Sequence, residues 1–446
     1  MLLSFRVANH RSLRSEQQLL LTPSYRADGP SDVDWEGVPV VGLFGPNASG
    51  KSNVIDAMVY MRDLVLGSLR ESEPGAGVRR QPFALGIAAR DEPSTFVVDL
   101  MLERVQYTYG FSVDDAQVTE EWMYSYPQKR KRLIFRRALD EYSFGDSPDS
   151  MRQVEEITES NVLFLSVAAR SRQVLVRPVY DWFADIQDRK PLVAGSLRPA
   201  VMTAEALERF GYFDRLTTLL QAADTGIESA ELIEETDAEF AERAARLDGL
   251  DESRTATGRA VRLAEISRRG KRRKHLVFRH RGETGTFALG LRDQSLGTRA
   301  LYEMGLPVFI SLDQGSSLIV DELDSSLHPY LSAQIIRLFT DSATNPLGAQ
   351  LIFTSHDPTL LGRIQGAEVL HRDHIWFTEK NECGATEIFP LSDFNPRRDE
   401  NRERRYLAGR YGAVPIVNDE LFAAALSTRE EGDDGFSGAY DQEGRP

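Results

Sequence analysis

One loop of this chain has the residue types and spacing of a phosphate-binding site. Residues 45–52 read GPNASGKS, which matches the pattern G-x-x-x-x-G-K-[ST] in full. Glycines let main-chain N–H groups turn towards phosphate oxygens, where side chains would block the approach. Lys51 would place its ammonium on the β and γ phosphates of ATP, and Ser52 would offer its hydroxyl to Mg²⁺. The residues expected to contact the nucleotide here are Gly45, Pro46, Asn47, Ala48, Ser49, Gly50, Lys51, Ser52 and Asn53.

Two carboxylates follow a short apolar run far downstream. Leu318–Val320 reads as a strand, and Asp321 and Glu322 come directly after it. An acid at the carboxyl end of a strand beside a phosphate loop can hold Mg²⁺, so Asp321 is the expected metal ligand with Ser52. Glu322 would take a proton from the attacking water, or orient it. The alternative is an exposed strand end with ordinary acids, which the phosphate loop in the same chain disfavours.

A second helix start has features of an anion site. The segment 294–299 reads QSLGTR and opens a helix predicted to run through Phe309. Ser295 is a good N-cap, and Gly297 permits close approach of the main chain. Two copies facing in opposite directions could share ATP, each giving its phosphate loop to one nucleotide and this turn to the other. Taken without the loop, the turn is an ordinary capped helix.

A histidine follows another apolar strand. Residues 354–357 read TSHD, which places His356 at a strand end, where it could lie near the γ phosphate and report its presence. Together with Lys51 and Glu322 it completes the predicted catalytic set. The competing interpretation is a surface or capping histidine. Between the acids and this strand, Pro329 is suited to start a helix.

These residues need a sheet to bring them together. Val38–Phe44 is predicted as a strand and the segment from Lys51 to about Gly67 as a helix, so the order is strand, loop, helix. Alternating helices and apolar strands after residue 290 predict a largely parallel sheet. The ends of the chain, roughly 1–70 and 285–395, are expected to form one α/β lobe. Residues 81–144 read as an antiparallel meander and residues 151–262 as mostly helical.

Composition narrows the class of protein. The 446 residues are 41% hydrophobic, which is ample for a core, and no apolar run is long enough to span a bilayer. No signal peptide is recognised, and the single cysteine, Cys383, forbids an intrachain disulfide, so we expect a cytoplasmic protein. The net charge of −15 excludes a general nucleic-acid coat. Basic residues are nevertheless bunched, either to meet phosphates or as solvated loop tips, at 129–137, 268–274 and 397–410.

The motifs together carry a family resemblance. GPNASGKSN, QSLGTRA, LIVDELDSSLHP and TSHD, in that order, resemble the ABC-type ATPase heads of the SMC and RecF group, as does the opening FRVANHRSL. The sequence RRYLAGRYGAVP at Arg404–Pro415 resembles AAA ATP-binding proteins of bacterial phage defence, of the abortive-infection AbiL and RloA type and the ATPase subunit of PARIS-like systems. The signature departs from the family pattern, because it reads SLGTR rather than LSGGQ.

This resemblance implies an α/β P-loop NTPase, an ABC-ATPase-like head with an antiparallel β lobe and an inserted helical subdomain. It implies that Arg11 and Ser12 lie near the nucleotide, that Ser295 and Gly297 contact the partner head's ATP, and that Asp324–His328 lies at the dimer seam. The expected divisions are two halves of the head at 1–150 and 275–395, a helical insertion at 151–274, a basic segment at 396–426 and a disordered tail at 427–446.

Three functions remain open from the sequence. The first is an ATPase that dimerises through its heads and gates a partner effector in anti-phage defence, such as a nuclease or a Toprim-like or RloB-like protein. The second is a RecF-like ATPase of DNA repair, which the basic runs favour. The third is an ATP-stabilised scaffold that does not hydrolyse ATP, against which Glu322 argues, because a scaffold needs no catalytic base.

Overall fold

The structure is a computed structural model of the chain. It describes residues 1–25, 35–145, 148–189, 207–209, 211–223, 225–235, 273–397, 400–415 and 418–427. The strands in these residues are β1 (Leu2–Ala8), β2 (Gln17–Leu20), β3 (Val40–Phe44), β4 (Ser94–Leu102), β5 (Val105–Val113), β6 (Val118–Tyr126), β7 (Arg132–Ala138), β8 (Glu141–Phe144), β9 (Gln187–Arg189), β10 (Ile227–Glu235), β11 (Arg273–Arg281), β12 (Thr286–Gly290), β13 (Ser317–Val320), β14 (Gln350–Thr354), β15 (Arg363–Ile364), β16 (Ala367–Glu368), β17 (Ile375–Lys380) and β18 (Thr386–Pro390). The helices are α1 (Lys51–Glu71), α2 (Pro148–Glu155), α3 (Phe164–Arg170), α4 (Arg177–Asp185), α5 (Phe213–Ala222), α6 (Leu296–Gln314), α7 (Pro329–Thr340), α8 (Arg402–Leu407) and α9 (Asp419–Ser427).

A six-stranded sheet in the order β18-β17-β3-β14-β13-β9 forms the centre of the molecule. Its strands are parallel except for β18, which pairs with β17 in the antiparallel sense. Every residue of β3, β13 and β14 is buried, as in parallel strands covered on both faces. The phosphate loop, the acid pair and His356 follow these three strands and therefore meet at one edge of the sheet.

The two faces of this sheet belong to two hydrophobic cores. Alternate residues of β3 point to opposite sides, so Val41 and Leu43 join one core while Val40 and Phe44 join the other. The first core is shared with α1, the antiparallel sheet and α2 to α4, and the second with α5, α6 and α7. The predicted α/β architecture is thus confirmed, with helices packed on both faces of the central sheet.

A seven-stranded antiparallel sheet in the order β2-β1-β4-β5-β6-β7-β8 lies beside the central one. The strands β4 to β8 pair consecutively, which confirms the predicted meander. The N-terminal strand differs from expectation, because β1 pairs with β2 and β4 and does not join the α/β lobe. Its apolar pattern suits either sheet, so the choice depends on long-range pairing that no local signal reveals.

Among the described residues of 151–262, a segment predicted to be mostly helical, two stretches are strands. The helices α2 to α5 fit that prediction, but β9 joins the parallel sheet beside β13, and β10 pairs with β11 in a three-stranded antiparallel sheet. Cross-strand pairing, including the Arg279–Glu231 ion pair at 2.9 Å, overrides the helix-favouring glutamates and alanine of β10. The domain boundaries stay a prediction.

Some expectations fall outside the described residues. These are most of the basic run at 268–274 and the tail beyond Ser427. Within the described parts of the chain, no helix is both long and apolar enough to cross a bilayer. The helix α1 ends at Glu71 rather than about Gly67, and α6 continues past Phe309 to Gln314.

Candidate functional site

The phosphate loop connects β3 directly to α1. Gly50 is the N-cap residue of α1, with a left-handed φ of 105°, and no side chain caps the first turn. The first N–H groups of a helix have no intrahelical acceptor, so this end of α1 can receive an anion. Asn47, Ala48 and Ser52 are exposed. The loop therefore presents its main chain to solvent at the carboxyl edge of the parallel sheet.

Lys51 is the buried cation of the site. It is 4% exposed, and its Nζ donates to the main-chain oxygens of Gly45 at 2.8 Å and Pro46 at 3.0 Å. The same Nζ lies 3.3 Å from Nδ1 of His356, which follows β14. The lysine and the histidine predicted to act together are therefore direct neighbours.

Burial also changes the acidity of the lysine. Desolvation lowers the pKa of Lys51 from 10.5 to about 8, and the negative charges of Asp324, Asp321 and Glu322 oppose this shift. The three acids therefore offset only part of the cost of burying the charged lysine. An added polyanion at this position would favour the charged form of the lysine.

The acid pair meets the phosphate loop at the sheet edge. Ser52 Oγ donates to Asp321 Oδ1 at 3.0 Å, although the two residues are 269 positions apart. Thr354, at the end of β14, donates to the same carboxylate oxygen at 2.7 Å and accepts from the main-chain N–H of Glu322 at 2.7 Å. One buried threonine hydroxyl thus fixes both acids relative to the loop.

Glu322 has an unusual backbone conformation. Its φ is 55°, in the left-handed region that non-glycine residues rarely adopt. Hydrogen bonds on both sides hold the conformation, because Asp321 N donates to Arg189 O at 2.9 Å and Leu323 N donates to Thr354 O at 3.0 Å. Strain of this kind persists where surrounding contacts fix it, and it is frequent at functional sites.

Hard oxygen ligands for a magnesium ion are present at this edge. The hydroxyl of Ser52 and the carboxylate of Asp321 converge, and Mg²⁺ prefers a few protein oxygens together with phosphate oxygens and water. Over the described residues, no group of three or more His, Cys, Asp or Glu side chains could hold a metal on its own. The oxygens of Ser52 and Asp321 therefore fit an ion that would take its remaining ligands from phosphate and water.

The N-terminal arm reaches the loop through Ser12. Its Oγ accepts a hydrogen bond from Asn53 Nδ2 at 2.6 Å. Arg11 instead forms two bonds to Asp56 of α1, from Nε to Oδ2 at 2.6 Å and from Nη2 to Oδ1 at 3.1 Å. The guanidinium of Arg11 is therefore committed to the side of α1, and its predicted contact with the nucleotide stays a prediction.

Sequence reasoning missed two threonines behind the loop. Thr378 Oγ1 lies 2.6 Å from Ser49 Oγ, and Thr386 Oγ1 donates to Ser49 O at 2.8 Å. Both belong to the hairpin of β17 and β18 and are almost fully buried. A threonine in a strand is an ordinary β-forming residue, so no local signal marked either of them.

The second helix start lies beside the turn that follows the acids. Ser295 caps α6, since its side chain accepts from Thr298 N at 3.1 Å. A Cβ atom at Gly297 would lie 3.0 Å from Ser326 O, so the glycine permits this close packing. Ser295 and Leu296 are exposed, as are Ser326 and His328. The two elements expected at a dimer seam therefore form one exposed surface.

Some arginines of the basic runs are buried and bond to main-chain oxygens. Arg137 is 1% exposed and donates to the main-chain oxygens of Leu139, Val162 and Ser160. Arg402 is also buried and donates to Leu370 O at 2.9 Å. Residues 129–132 stay exposed at the turn between β6 and β7.

Comparison with known proteins gives a family match. The family model described as "AAA domain, putative AbiEii toxin, Type IV TA system" matches residues 40–362, which is more than half of the chain. Among solved structures, the chain is similar to an SMC head bound to the C-terminal winged-helix domain of ScpA. That similarity has 11% identity and a TM-score of 0.41, over 88% of this chain and 99% of the other. No curated protein matches the chain.

Proposed function

Because the chain belongs to the AAA-domain family whose description names the AbiEii toxin of a type IV toxin–antitoxin system, we propose that it binds ATP with Mg²⁺ and hydrolyses it. One observation carries this proposal. The Ser52 hydroxyl and the Asp321 carboxylate are joined at 3.0 Å across 269 residues of chain. The phosphate loop and the acid pair thus share one edge of the sheet. From the sequence alone, their proximity was an expectation.

The residues have separable roles in this proposal. The amides of the loop and the N-terminus of α1 bind the triphosphate, and Lys51 neutralises the β and γ phosphates. Ser52 and Asp321 would hold Mg²⁺, which neutralises charge on the β and γ oxygens when bound.

Hydrolysis then requires a base and an oriented water. Glu322 accepts a proton as the water oxygen attacks the γ phosphorus, and the bond from that phosphorus to the β–γ bridging oxygen breaks. The products are ADP and inorganic phosphate. His356, whose Nδ1 lies 3.3 Å from Lys51 Nζ, would sense the γ phosphate. Its main-chain N–H donates to the carboxylate of Asp324 at 3.3 Å, which connects it to the turn after the acids.

The exposed surface of Ser295 and Ser326 supports the proposal that two heads pair. In a two-fold pair, Ser295 and Gly297 of one copy would face the phosphate loop of the other. ATP would then lie between copies and favour the dimer, because it contacts both halves of the site there and so binds the pair more tightly than one copy. Hydrolysis of ATP would separate the two copies. We propose that it also releases a bound effector of anti-phage defence.

The ATPase assignment is tested with two variants and their matched controls. Lys51→Ala removes the cation of the loop and should abolish ATP binding, while Lys129→Ala removes an exposed lysine and should not. Glu322→Gln should keep ATP binding and lose hydrolysis, while Glu120→Gln, on the exposed face of β6, should retain both. Unchanged turnover in Glu322→Gln would exclude this residue as the base. Turnover absent in the wild type as well would favour the non-hydrolysing scaffold.

The defence role is tested in cells that carry the chain with its neighbouring gene. Phage challenge should show protection that disappears in Lys51→Ala. Protection equal to the wild type in that variant would exclude gating by nucleotide. Growth arrest by this chain alone, dependent on Lys51, would instead favour the toxin named in the family description.

The exposed basic turn at residues 129–132 is the surface that would bind DNA in the DNA-repair alternative. If it binds DNA, DNA should stimulate the ATPase with a steep salt dependence. Replacing Lys129, Arg130 and Lys131 by Gln should then remove the stimulation and leave basal turnover. No stimulation by any form of DNA at low salt would exclude this function.

A further inference from the structure

The hairpin of β17 and β18 lies against the outer side of the phosphate loop. Thr378 and Thr386 both contact Ser49, one at its hydroxyl at 2.6 Å and the other at its main-chain oxygen at 2.8 Å. Ser49 is itself only 2% exposed. The middle of the loop is therefore fixed from behind, through both its side chain and its main chain.

The hydrogen bonds at Thr386 have a defined direction. Thr386 uses its proton on Ser49 O, so the Ser12 hydroxyl, 2.7 Å away, must donate to Thr386 Oγ1. Ser12 in turn accepts from the amide of Asn53, which can only donate through its nitrogen. A single chain of donors thus runs from the first turn of α1, through the N-terminal arm, to a carbonyl of the loop. Thr386 is the donor that ends this chain on the carbonyl of Ser49.

The two glycines of the loop motif are fitted to the same threonines. A Cβ atom at Gly50 would overlap Oγ1 of Thr386, and a Cβ atom at Gly45 would lie 2.7 Å from Oγ1 of Thr378. Real Cβ atoms essentially never approach this closely. Both ends of the loop therefore need glycine on the hairpin side as well as on the phosphate side.

The opposite face of β17 is covered by the C-terminal segment at residues 400–414. Phe377 stacks on Tyr406 and on Tyr411, each with ring centroids 5.6 Å apart. Neighbouring residues of a strand point to opposite faces, so this stack lies across the strand from Thr378. The segment that carries the RRYLAGRYGAVP sequence thus holds the hairpin in place from the far side.

From these contacts we infer that Thr386 is a positioning residue for the phosphate loop, acting through Ser49 and supported by the clamped hairpin. The inference rests on the proposed function, since the loop shape matters for the nucleotide it holds. The Thr386 hydroxyl contacts Ser49 O and Ser12 Oγ and would act on the nucleotide only through them. It fixes the direction of the Ser49 carbonyl, and so of the Gly50 N–H on the other side of that peptide plane.

The test compares three variants in the full chain. Thr386→Val keeps the shape of the side chain and removes the hydroxyl, whereas Thr386→Ser keeps the hydroxyl. Thr95→Val is the matched control, because it removes a threonine hydroxyl paired with a serine, Ser112, at 2.8 Å in the antiparallel sheet. Wild type and Lys51→Ala are measured in parallel to establish nucleotide binding itself.

Calorimetry with MgATP should show a Kd raised about tenfold in Thr386→Val, because two buried polar groups lose their partner. Thr386→Ser and Thr95→Val should stay within about threefold of wild type. Hydrogen exchange of the peptide at 45–53, measured without nucleotide, should be faster in Thr386→Val only.

Each outcome decides between the two proposals. Wild type that binds no ATP refutes the proposed function, and the exchange data then still test the hairpin. Thr386→Val with wild-type affinity and exchange overturns the inference. Equal losses in Thr386→Val and Thr386→Ser would also overturn it, because the hydroxyl would then not be the group that matters.

Discussion

The lowered pKa of Lys51 makes nucleotide binding depend on pH in a direction that can be worked out. In the nucleotide-free protein burial brings this pKa to about 8, so the ammonium is mostly charged at pH 7 and mostly neutral at pH 9. The charges of a bound triphosphate favour the ammonium and raise the pKa again. Binding therefore takes up a proton above pH 8, and affinity falls as pH rises.

The magnitude follows from the pKa of Lys51 in the free protein. The neutral fraction of this lysine is roughly 0.1 at pH 7, about 0.5 at pH 8 and about 0.9 at pH 9. Proton uptake on binding should follow those fractions, and the Kd for MgATP should rise about tenfold between pH 7 and pH 9 and about thirtyfold by pH 9.5. The terminal phosphate is already ionised above pH 7.5, so the slope reports the lysine.

Isothermal titration in buffers of different ionisation enthalpy measures both quantities. Lys51→Arg supplies the control, because a guanidinium stays charged throughout this range. Its affinity should be lower than that of the wild type but flat with pH. A wild-type affinity that is constant from pH 7.5 to 9.5, without proton uptake, would show that Lys51 does not change its protonation when MgATP binds.

Three further outcomes are expected. Glu322→Gln should reduce phosphate release about a hundredfold or more while ATP now holds a dimer, seen by size-exclusion chromatography with light scattering; a monomer under those conditions contradicts the paired heads. Ser295→Ala removes a helix cap worth about 1 kcal/mol and should weaken the ATP-dependent dimer while leaving ATP binding by the monomer nearly unchanged. Turnover measured over a range of protein concentrations would separate the effect on the dimer from the effect on ATP binding. Glu121→Gln should lower the free energy of unfolding by about 1 to 3 kcal/mol. The buried carboxylate of Glu121 accepts hydrogen bonds from Phe164 N and Leu165 N, whereas an amide can accept through its single oxygen only. Urea unfolding that matches the wild type would show that these bonds are dispensable.

The local signals of the sequence were reliable where one segment carries the whole pattern. The phosphate loop, its flanking strand and α1 form a continuous strand, loop and helix, and the run at Leu318–Val320 with its two acids is equally local. That Asp321 reaches Ser52 could be expected only because the two motifs occur together in one chain. The structure confirms the proximity through the order of β3, β14 and β13 in the sheet.

The features that the sequence could not reveal all depend on pairing between distant segments. The strand β10 contains glutamates and alanine that favour a helix, and its pairing with β11 across a long connection decides otherwise. Thr378 and Thr386 act only because β17 adds to the sheet beside β3. Arg137, which looked like part of a basic patch, is buried because the main-chain oxygens it satisfies come from a segment more than twenty residues later.

In the function proposed above, the phosphate loop and the acid pair form one site for a nucleotide with magnesium. The most direct measurement is the affinity for ATP with Mg²⁺ and with EDTA, in the wild type and in Asp321→Asn. We predict that Mg²⁺ strengthens binding by the wild type about tenfold or more and that Asp321→Asn loses this gain while still binding ATP through Lys51. An undiminished Mg²⁺ effect in Asp321→Asn would contradict the claim.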